Sequence, residues 1–254
     1  MNFFSPAPPR VLAHRGLALE APENTLLAFS KAIAVGVTHL ETDVHASADG
    51  VAMVSHDPDL SRLVGRKVSV GQLTSHELRR IALGAGQSYC SLAEALDAFP
   101  DAKFNIDIKA ASAVAPTVAA IRDAKATDRV LIGSFSPARR LAAVRQLPGV
   151  ATSISARGAI AAVRAARSRN GLAIVKRVLR DVGAVQLPLS ILRMPTMTPR
   201  TIAAFHAAAV EVHVWTINDE SEMDRLLDLG VDGLVTDRAD LAMAVLRRRA
   251  DARS

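Results

Sequence analysis

Short runs of β-branched and aliphatic residues alternate along the chain with longer Ala- and Leu-rich runs whose apolar positions recur at helical spacing. The short runs predict eight core strands, at about residues 10–14, 38–44, 103–109, 129–134, 150–153, 184–187, 211–217 and 232–236. The longer runs predict helices, at about residues 24–35, 91–99, 113–124, 137–146, 159–169, 199–209, 220–229 and 239–248. A strand and helix repeating every 30 residues or so, about eight times, is typical of a TIM (β/α)8 barrel.

One stretch departs from this alternation. The apolar run 51–54 follows the turn Asp49-Gly50 and predicts a hairpin partner for the second strand. Residues 57–90 are less regular, so we expect a short insertion there with one small helix near 74–78. No Gly-, Pro- or Ser-rich linker divides the chain, which predicts a single domain over residues 1–254 with its core at about 10–248. A doubly wound open sheet is the alternative, but no Gly-x-Gly-x-x-Gly follows the first strand.

Composition narrows the range of partners. The formal charge of +6 suits nucleic acid, an anionic membrane surface or a phosphorylated substrate. Aromatic residues make up only 4% of the chain, which disfavours stacking on nucleic-acid bases, so we expect no nucleic-acid partner. Cys90 is the single cysteine and excludes an internal disulfide. The oligomeric state is not readable from these features.

The N-terminus predicts a location but no anchor. Residues 1–9 form a short Pro-rich arm without a basic region followed by a continuous apolar run, so we expect a cytoplasmic protein. The sequence contains no stretch of about 18 apolar residues, so we expect no membrane span. Peripheral contact with a membrane stays open.

Ionisable side chains cluster at the ends of three successive apolar runs: His14-Arg15, Glu41-Thr42-Asp43 and His56-Asp57. Further along the chain, Asp107, Lys109, Trp215 and Asp237 fall at or near other strand ends. The carboxyl ends of the strands form the active face of a barrel, so we expect these side chains to meet there.

The carboxylates predict a cation site. Glu41 and Asp43 are two positions apart on a strand and therefore point to one face. Two carboxylates so close repel each other unless a cation or a shared proton relieves them, and oxygen ligands suit Mg²⁺ or Ca²⁺. Asp107 could supply a third carboxylate. The alternative is a structural salt bridge between Lys109 and one of these carboxylates.

The remaining candidates also have two interpretations each. His14 and His56 could form a general acid and base near neutral pH, or each could satisfy a loop hydrogen bond. Arg15 could bind a phosphate with two donors, or it could pair with Glu23. Trp215 could line the site or pack in the core.

Taken in order, the motifs resemble the glycerophosphodiester phosphodiesterase family over residues 11–240. The matching stretches are His14-Arg15-Gly16, Pro22-Glu23-Asn24-Thr25, Ala28-Phe29, Gly36, Glu41-Thr42-Asp43-Val44, Asp49-Gly50, His56-Asp57, Arg62, Ser134-Phe135, Trp215-Thr216-Ile217-Asn218 and 230–237. The resemblance implies a TIM barrel that hydrolyses a small glycerophosphodiester to sn-glycerol 3-phosphate and an alcohol. It leaves open whether water or the glycerol 2-hydroxyl attacks.

The resemblance also implies a role for eight residues: Glu41, Asp43 and Asp107 as ligands of a divalent metal, His14 and His56 as the acid/base pair, Arg15 and Lys109 on the phosphate oxygens, and Trp215 on the pocket wall. Two features depart from the family pattern. Asp107 stands where the family usually has Glu, and its shorter side chain could shift or weaken the metal. The segment between His56 and Ser91 is short, which could leave a mouth open to bulkier lipid substrates.

Three other functions stay in competition. The first is hydrolysis of lysophospholipids, as in lysophospholipase D-like relatives. The second is a non-catalytic phosphate-binding barrel, which the retained histidine pair disfavours. The third is an isomerase or aldolase acting on a phosphorylated sugar, which would need no second histidine at the end of the third apolar run.

Overall fold

The computed structural model describes residues 2–252; residues 1, 253 and 254, which the predicted domain includes, lie outside the described part. Its strands are β1 (Arg10–His14), β2 (His39–Ala46), β3 (Ala52–Val54), β4 (Asp59–Leu60), β5 (Arg66–Ser69), β6 (Ala82–Gly84), β7 (Gln87–Ser88), β8 (Lys103–Ile108), β9 (Val130–Gly133), β10 (Ala151–Thr152), β11 (Ala184–Leu187), β12 (Ser190–Ile191), β13 (Met194–Pro195), β14 (Glu211–Val214) and β15 (Gly233–Thr236). Its α-helices are α1 (Leu26–Ala34), α2 (Ser61–Val64), α3 (Ser75–Arg79), α4 (Leu92–Ala98), α5 (Val114–Asp123), α6 (Pro137–Val144), α7 (Ala156–Arg167), α8 (Leu172–Leu179), α9 (Pro199–His206), α10 (Glu220–Asp228) and α11 (Ala239–Asp251).

Eight parallel strands form a barrel in the order β10-β9-β8-β2-β1-β15-β14-β11. The two outer strands of this order meet through a single parallel bridge between Ser153 and Ala184, and the Ile154 amide donates to the Ala184 carbonyl over 3.1 Å. Strand β3 pairs antiparallel with β2, as the Asp49-Gly50 turn predicts. The predicted TIM (β/α)8 barrel is confirmed.

The helices surround the strands and begin where the sequence offers a cap. Thr25, Ser91 and Thr198 each precede a helix and accept a hydrogen bond from the backbone N–H three residues later. The predicted capping box at residues 91–94 is present, because Glu94 also accepts from the Ser91 amide. Helix α9 begins with Pro199, where the missing backbone N–H is tolerated.

The main core lies between the strands and the helices, with Phe29, Phe104 and Phe205 fully buried in it. A second apolar cluster fills the insertion, around Leu60, Leu78 and Tyr89. A third closes the amino-terminal end of the barrel.

In this third cluster Phe3, from the Pro-rich arm, is completely buried against Leu12, Leu131, Ala184 and Val235. The arm therefore packs against the floor of the barrel.

Several elements were not predicted. The insertion holds the hairpins β4–β5 and β6–β7 and the short helix α2 besides the expected α3. Helix α8 and the hairpin β12–β13 fall in stretches that the sequence left unassigned. Within residues 2–252, no helix combines the length and apolar character needed to cross a lipid bilayer.

Candidate active site

A cavity of about 400 Å³ opens at the carboxyl ends of the barrel strands. All eight residues singled out from the sequence line it: His14, Arg15, Glu41, Asp43, His56, Asp107, Lys109 and Trp215. Asn105 and Ser134 line it as well. The expected meeting of the strand ends is therefore observed, whereas the chemical role of each residue stays a prediction.

Strand register explains the convergence. In the parallel pairing of β1 with β2, His14 lies opposite Glu41. In the pairing of β2 with β8, Asp43 lies opposite Asp107. Since side chains alternate along a strand, Glu41 and Asp43 both face the barrel interior, where they are almost fully buried.

A carboxylate anchors His14. The imidazole Nδ1 lies 2.6 Å from Asp237 Oδ1, while Nε2 lies 3.9 Å from Glu41 Oε2. Asp237 in turn accepts a hydrogen bond from Asn218 Nδ2 over 2.8 Å. An ionised carboxylate only accepts, so Nδ1 carries the proton in this contact. Burial opposes protonation of the ring, but the bond to Asp237 and the charge of Glu41 outweigh it and raise the pKa of His14.

The same arrangement holds His56. Its Nδ1 lies 2.8 Å from Asp57 Oδ1, and Asp57 Oδ2 accepts from Arg62 Nε over 2.6 Å. Burial would raise the pKa of Asp57, yet its bonds to His56 and Arg62 lower that pKa, so it stays ionised. Both imidazoles are thus fixed through Nδ1 by an ionised carboxylate.

Arg15 binds Glu23, as predicted, and also lies near a second carboxylate. Its Nη1 donates to Glu23 Oε1 over 3.0 Å, and its Nε lies 3.4 Å from Asp43 Oδ2 without forming a hydrogen bond. Glu23 also accepts from Arg62 over 2.5 Å. One glutamate therefore links the Arg15 side of the cavity to the Arg62 that fixes the His56–Asp57 pair.

Lys109 lies between two carboxylates, as the salt-bridge alternative predicted. Its Nζ is 2.8 Å from Asp43 Oδ1 and 2.7 Å from Asp107 Oδ2. Burial would raise the pKa of Asp43, but Lys109 and Arg15 outweigh it and lower that pKa. Glu41 has no comparable cation, so burial and the neighbouring Asp43 raise its pKa. When all of these buried carboxylates are ionised, their negative charge therefore exceeds the positive charge of the cations beside them.

The donor set suits a hard divalent cation in chemistry. Asp107 Oδ1 and Asn105 Oδ1 are buried and have no hydrogen-bond partner. Such oxygens, with those of Glu41, are the kind of donor that Mg²⁺ and Ca²⁺ take. The arrangement differs from a closed metal site, however. Among residues 2–252, no three His, Cys, Asp or Glu side chains stand together as an ion-binding group, and the Lys109 ammonium holds Asp43 and Asp107.

The remaining wall of the cavity is apolar. Trp215 follows the last residue of β14 and lines the cavity rather than the core alone. Its ring meets Phe135 edge to face, with centroids 6.0 Å apart, and Phe135 is 56% exposed. The wall continues through Ile154, Ala159, Ile160, Leu187, Pro188 and Ile191. A substrate with one ionic and one apolar end would find matching surroundings here.

Sequence reasoning missed the partners of both histidines. Asp237 was noted only as a strand-end residue, and its contact with His14 joins positions 223 residues apart. The signal that could have found it is barrel closure, because closure places the last strand beside the first. Asp57 follows His56 directly, but adjacency alone does not show that two side chains bond.

The fold and cavity define a barrel enzyme whose site suits an anionic substrate. The model of the "Glycerophosphoryl diester phosphodiesterase family" matches residues 14–241. The chain belongs to this family, as its ordered motifs predicted, and the prediction that it is a phosphodiesterase is confirmed.

Individual relatives agree with this assignment. "Probable glycerophosphodiester phosphodiesterase 2" of Mycobacterium tuberculosis is 44% identical over 94% of this chain and 91% of its own length. "Lysophospholipase D GDPD1" of Mus musculus is 26% identical over 90% of this chain and 83% of its own.

Solved structures share the fold. A glycerophosphodiester phosphodiesterase from Thermotoga maritima superimposes with a TM-score of 0.73 at 28% identity, over 92% of this chain and 97% of that one. An Oleispira antarctica phosphodiesterase, solved in complex with the product sn-glycerol-3-phosphate, has a TM-score of 0.78 at 23% identity, over 94% and 97% of the two chains.

Proposed function

We propose that this protein hydrolyses glycerophosphodiesters to sn-glycerol 3-phosphate and an alcohol, with His14 and His56 as the acid/base pair. The observation that carries the proposal is the anchoring of both imidazoles through Nδ1 by Asp237 and Asp57. Each ring then has its Nε2 available in a cavity that both residues line. One histidine removes a proton from the attacking oxygen, and the other protonates the leaving alkoxide.

Arg15 and Lys109 are proposed to hold the phosphate. Lys109 has three donor hydrogens and directs them at two carboxylates, which leaves one for a phosphoryl oxygen. Arg15 Nε is buried without a hydrogen-bond partner, an unsatisfied donor that a phosphate oxygen would satisfy. Both cations stabilise the negative charge that develops on the phosphoryl oxygens.

A divalent ion, Mg²⁺ or Ca²⁺, is proposed as the cofactor, with Glu41, Asp43 and Asp107 as its ligands. The deficit of positive charge around Glu41 and the unpartnered Asp107 Oδ1 support it. When bound, the ion would supply Lewis-acid polarisation of a phosphoryl oxygen.

Lysophospholipids are a second substrate class, favoured by the apolar wall formed by Trp215, Ile160 and Ile191. The similarity to a lysophospholipase D of mouse agrees with that wall. A panel of glycerophosphodiester head groups and lysolipids decides between the classes. Rapid turnover of glycerophosphocholine with no lysolipid hydrolysis would exclude the second class.

Release of sn-glycerol 3-phosphate from glycerophosphocholine tests the mechanism. We expect His14→Ala and His56→Ala each to lower kcat by roughly 10²–10⁴-fold, the usual worth of a positioned acid or base. The matched control is His76→Ala, which changes an exposed histidine on α3 outside the cavity and leaves kcat unchanged.

EDTA should abolish the activity, and added Mg²⁺ or Ca²⁺ should restore it. Activity that survives EDTA contradicts the metal, and activity that survives His14→Ala contradicts the acid/base pair. If no product is released under any of these conditions, the result favours the non-catalytic barrel. The cytoplasmic location and the absence of a nucleic-acid partner stay predictions.

A further inference from the structure

Positive charge is distributed unevenly along the chain. Residues 137–200 contain twelve Lys and Arg and a single acidic residue, Asp181. This quarter of the sequence therefore carries +11, whereas the whole chain carries only +6. The rest of the protein is net acidic, so the basic character belongs to one side of the barrel.

Most of these cations have no acidic partner. Among residues 2–252, Arg180 is the only member of the segment in an ion pair, and its partner is Asp181. Several surface arginines elsewhere do have such partners, as Arg248 and Arg249 have in the acidic residues of α10. The unpaired, exposed cations of the segment are Arg145, Arg157, Arg164, Arg167, Arg169, Lys176, Arg177, Arg193 and Arg200, and all but Arg145 lie within residues 157–200. We call the exposed side chains of residues 157–200 the basic face.

The basic face adjoins the mouth of the cavity. Helix α7 begins at the cavity, which Ala159 and Ile160 line. Hydrogen bonds join the end of α7 to the hairpin β12–β13 and to the start of α9: Arg167 donates to the Pro195 carbonyl over 3.3 Å, and Arg200 donates to the Ser168 carbonyl over 2.7 Å. The hairpin itself reaches back to the cavity through Ile191.

Aliphatic side chains project from the same surface. Leu172, Ile174 and Leu189 are 44%, 50% and 41% exposed, and Leu192 at the hairpin tip is 64% exposed. Leu192 and Arg193 hold φ angles of 49° and 63°, a left-handed conformation that costs energy for residues with a Cβ. The hairpin therefore presents a bulky apolar residue and a cation to solvent in a backbone conformation that is unfavourable for both.

We propose that the basic face docks on an anionic phospholipid bilayer, with the cavity mouth next to the lipid headgroups. Unpaired Arg and Lys complement anionic headgroups, and exposed Leu and Ile enter the boundary between headgroups and acyl chains. Nucleic acid would complement the charge as well. Residues 157–200 contain no aromatic side chain on which a base could stack, so the aliphatic tip favours lipid.

Cosedimentation of the full-length protein with vesicles tests the proposal. Vesicles of phosphatidylcholine alone are compared with vesicles that also contain phosphatidylglycerol, at low and high salt. We expect binding to the anionic vesicles only, weakened by salt because the attraction is screened. The double variant Arg169→Gln/Arg193→Gln should lower the partition coefficient by about 25-fold, since each charge near such a surface contributes about fivefold.

Controls separate docking from folding and from activity. Lys125→Gln/Arg145→Gln removes two exposed charges that follow α5 and α6, away from the cavity mouth, and should leave the partition coefficient unchanged. Leu192→Asp should reduce binding while the circular dichroism spectrum stays that of the native protein. Glycerophosphocholine, a water-soluble substrate, reports on the active site independently, and neither double variant should change its turnover.

Three outcomes would overturn the proposal: equal binding to neutral and anionic vesicles, unchanged binding by Arg169→Gln/Arg193→Gln, or no binding to anionic vesicles at low salt. A different result would assign the basic face to nucleic acid instead: the protein binds single-stranded RNA tightly, the same variant abolishes that binding, and no vesicles are bound.

Discussion

Asp237 is the residue whose contribution to the proposed chemistry is most easily isolated. It touches His14 at Nδ1, on the far side of the ring from the nitrogen that would meet the substrate. Asn218 holds Asp237 in place through two contacts, donating from Nδ2 to its carboxylate and accepting from its backbone amide. In the proposed mechanism, Asp237 would therefore orient His14 and fix its tautomer.

We expect Asp237→Asn to lower kcat by about 10²-fold or more with little change in KM, because an amide at this position no longer selects the Nδ1–H tautomer. Steady-state hydrolysis of glycerophosphocholine measures both constants. The matched control is Asp232→Asn, which alters a carboxylate that binds His206 outside the cavity over 2.8 Å. Equal losses in the two variants would show that Asp237 serves only stability.

At the scale of the residue, sequence patterns found the ionisable side chains that line the cavity but not the side chains that hold them in place. His14, His56 and Lys109 stand at strand ends, so the fold prediction alone directs them to one face. The Lys109 contacts with both Asp43 and Asp107 were foreseen only as an alternative, because the spacing cannot tell a bridging lysine from a metal. Deciding between them depends on side-chain rotamers, which the alternation of a strand does not specify.

Strand β2 contributes side chains to both ends of the barrel. Its later residues Glu41 and Asp43 face the cavity, whereas His39 lies at its start, fully buried under the N-terminal arm. His39 Nε2 donates to the Phe3 carbonyl over 2.8 Å, and Nδ1 accepts from Thr38 Oγ1 over 2.9 Å. This neutral tautomer satisfies both nitrogens.

Lowering the pH should destabilise the fold, because His39 is protonated more readily in the unfolded chain than in the folded one. Burial, reinforced by the nearby charge of Arg10, lowers the pKa of His39 from 6.5 to about 4. Below pH 6.5 the unfolded chain gains a proton that the folded chain does not, so stability is full above that pH and falls towards pH 4. The loss between pH 7.5 and 5 is about 2 kcal/mol from this group alone.

Urea unfolding at the two pH values measures the loss. Because other groups titrate as well, the informative quantity is the difference between wild type and His39→Gln, which keeps a donor but cannot be protonated. We expect the variant to lose about 2 kcal/mol less on acidification. Parallel losses would mean that His39 is protonated in the folded state.

Elements with local start signals were predicted, and elements made by tertiary contact were not. Helix α4 has a capping box that is legible in the sequence. Helix α8 follows Gly171 with no side-chain cap and packs on α7, so its formation depends on a neighbour. The hairpin β12–β13 turns through Leu192-Arg193 instead of the usual Asn-Gly, which removes the main signal for a tight turn.

The barrel as a whole has one weak seam. Strands β2 and β8 pair over six residues, whereas β10 is two residues long and meets β11 through the single bridge from Ser153 to Ala184. Two backbone hydrogen bonds cross this seam: the Ile154 amide donates to Ala184, and the Gly183 amide donates to Thr152 over 3.0 Å. Local opening requires the fewest broken hydrogen bonds there.

Hydrogen exchange followed by mass spectrometry should locate this seam. We expect amides in the segments 151–155 and 183–187 to exchange at least about tenfold faster than those in 39–46 and 103–108, because local opening breaks fewer bonds and exposes less apolar surface. The comparison is internal to one sample, so global unfolding affects both pairs of segments equally. Uniform protection around all eight strands would refute a weak seam.

The seam also lies beside α7, which begins at the cavity and carries part of the basic face. Binding to anionic vesicles should therefore slow exchange at the seam more than at the β2–β8 pair.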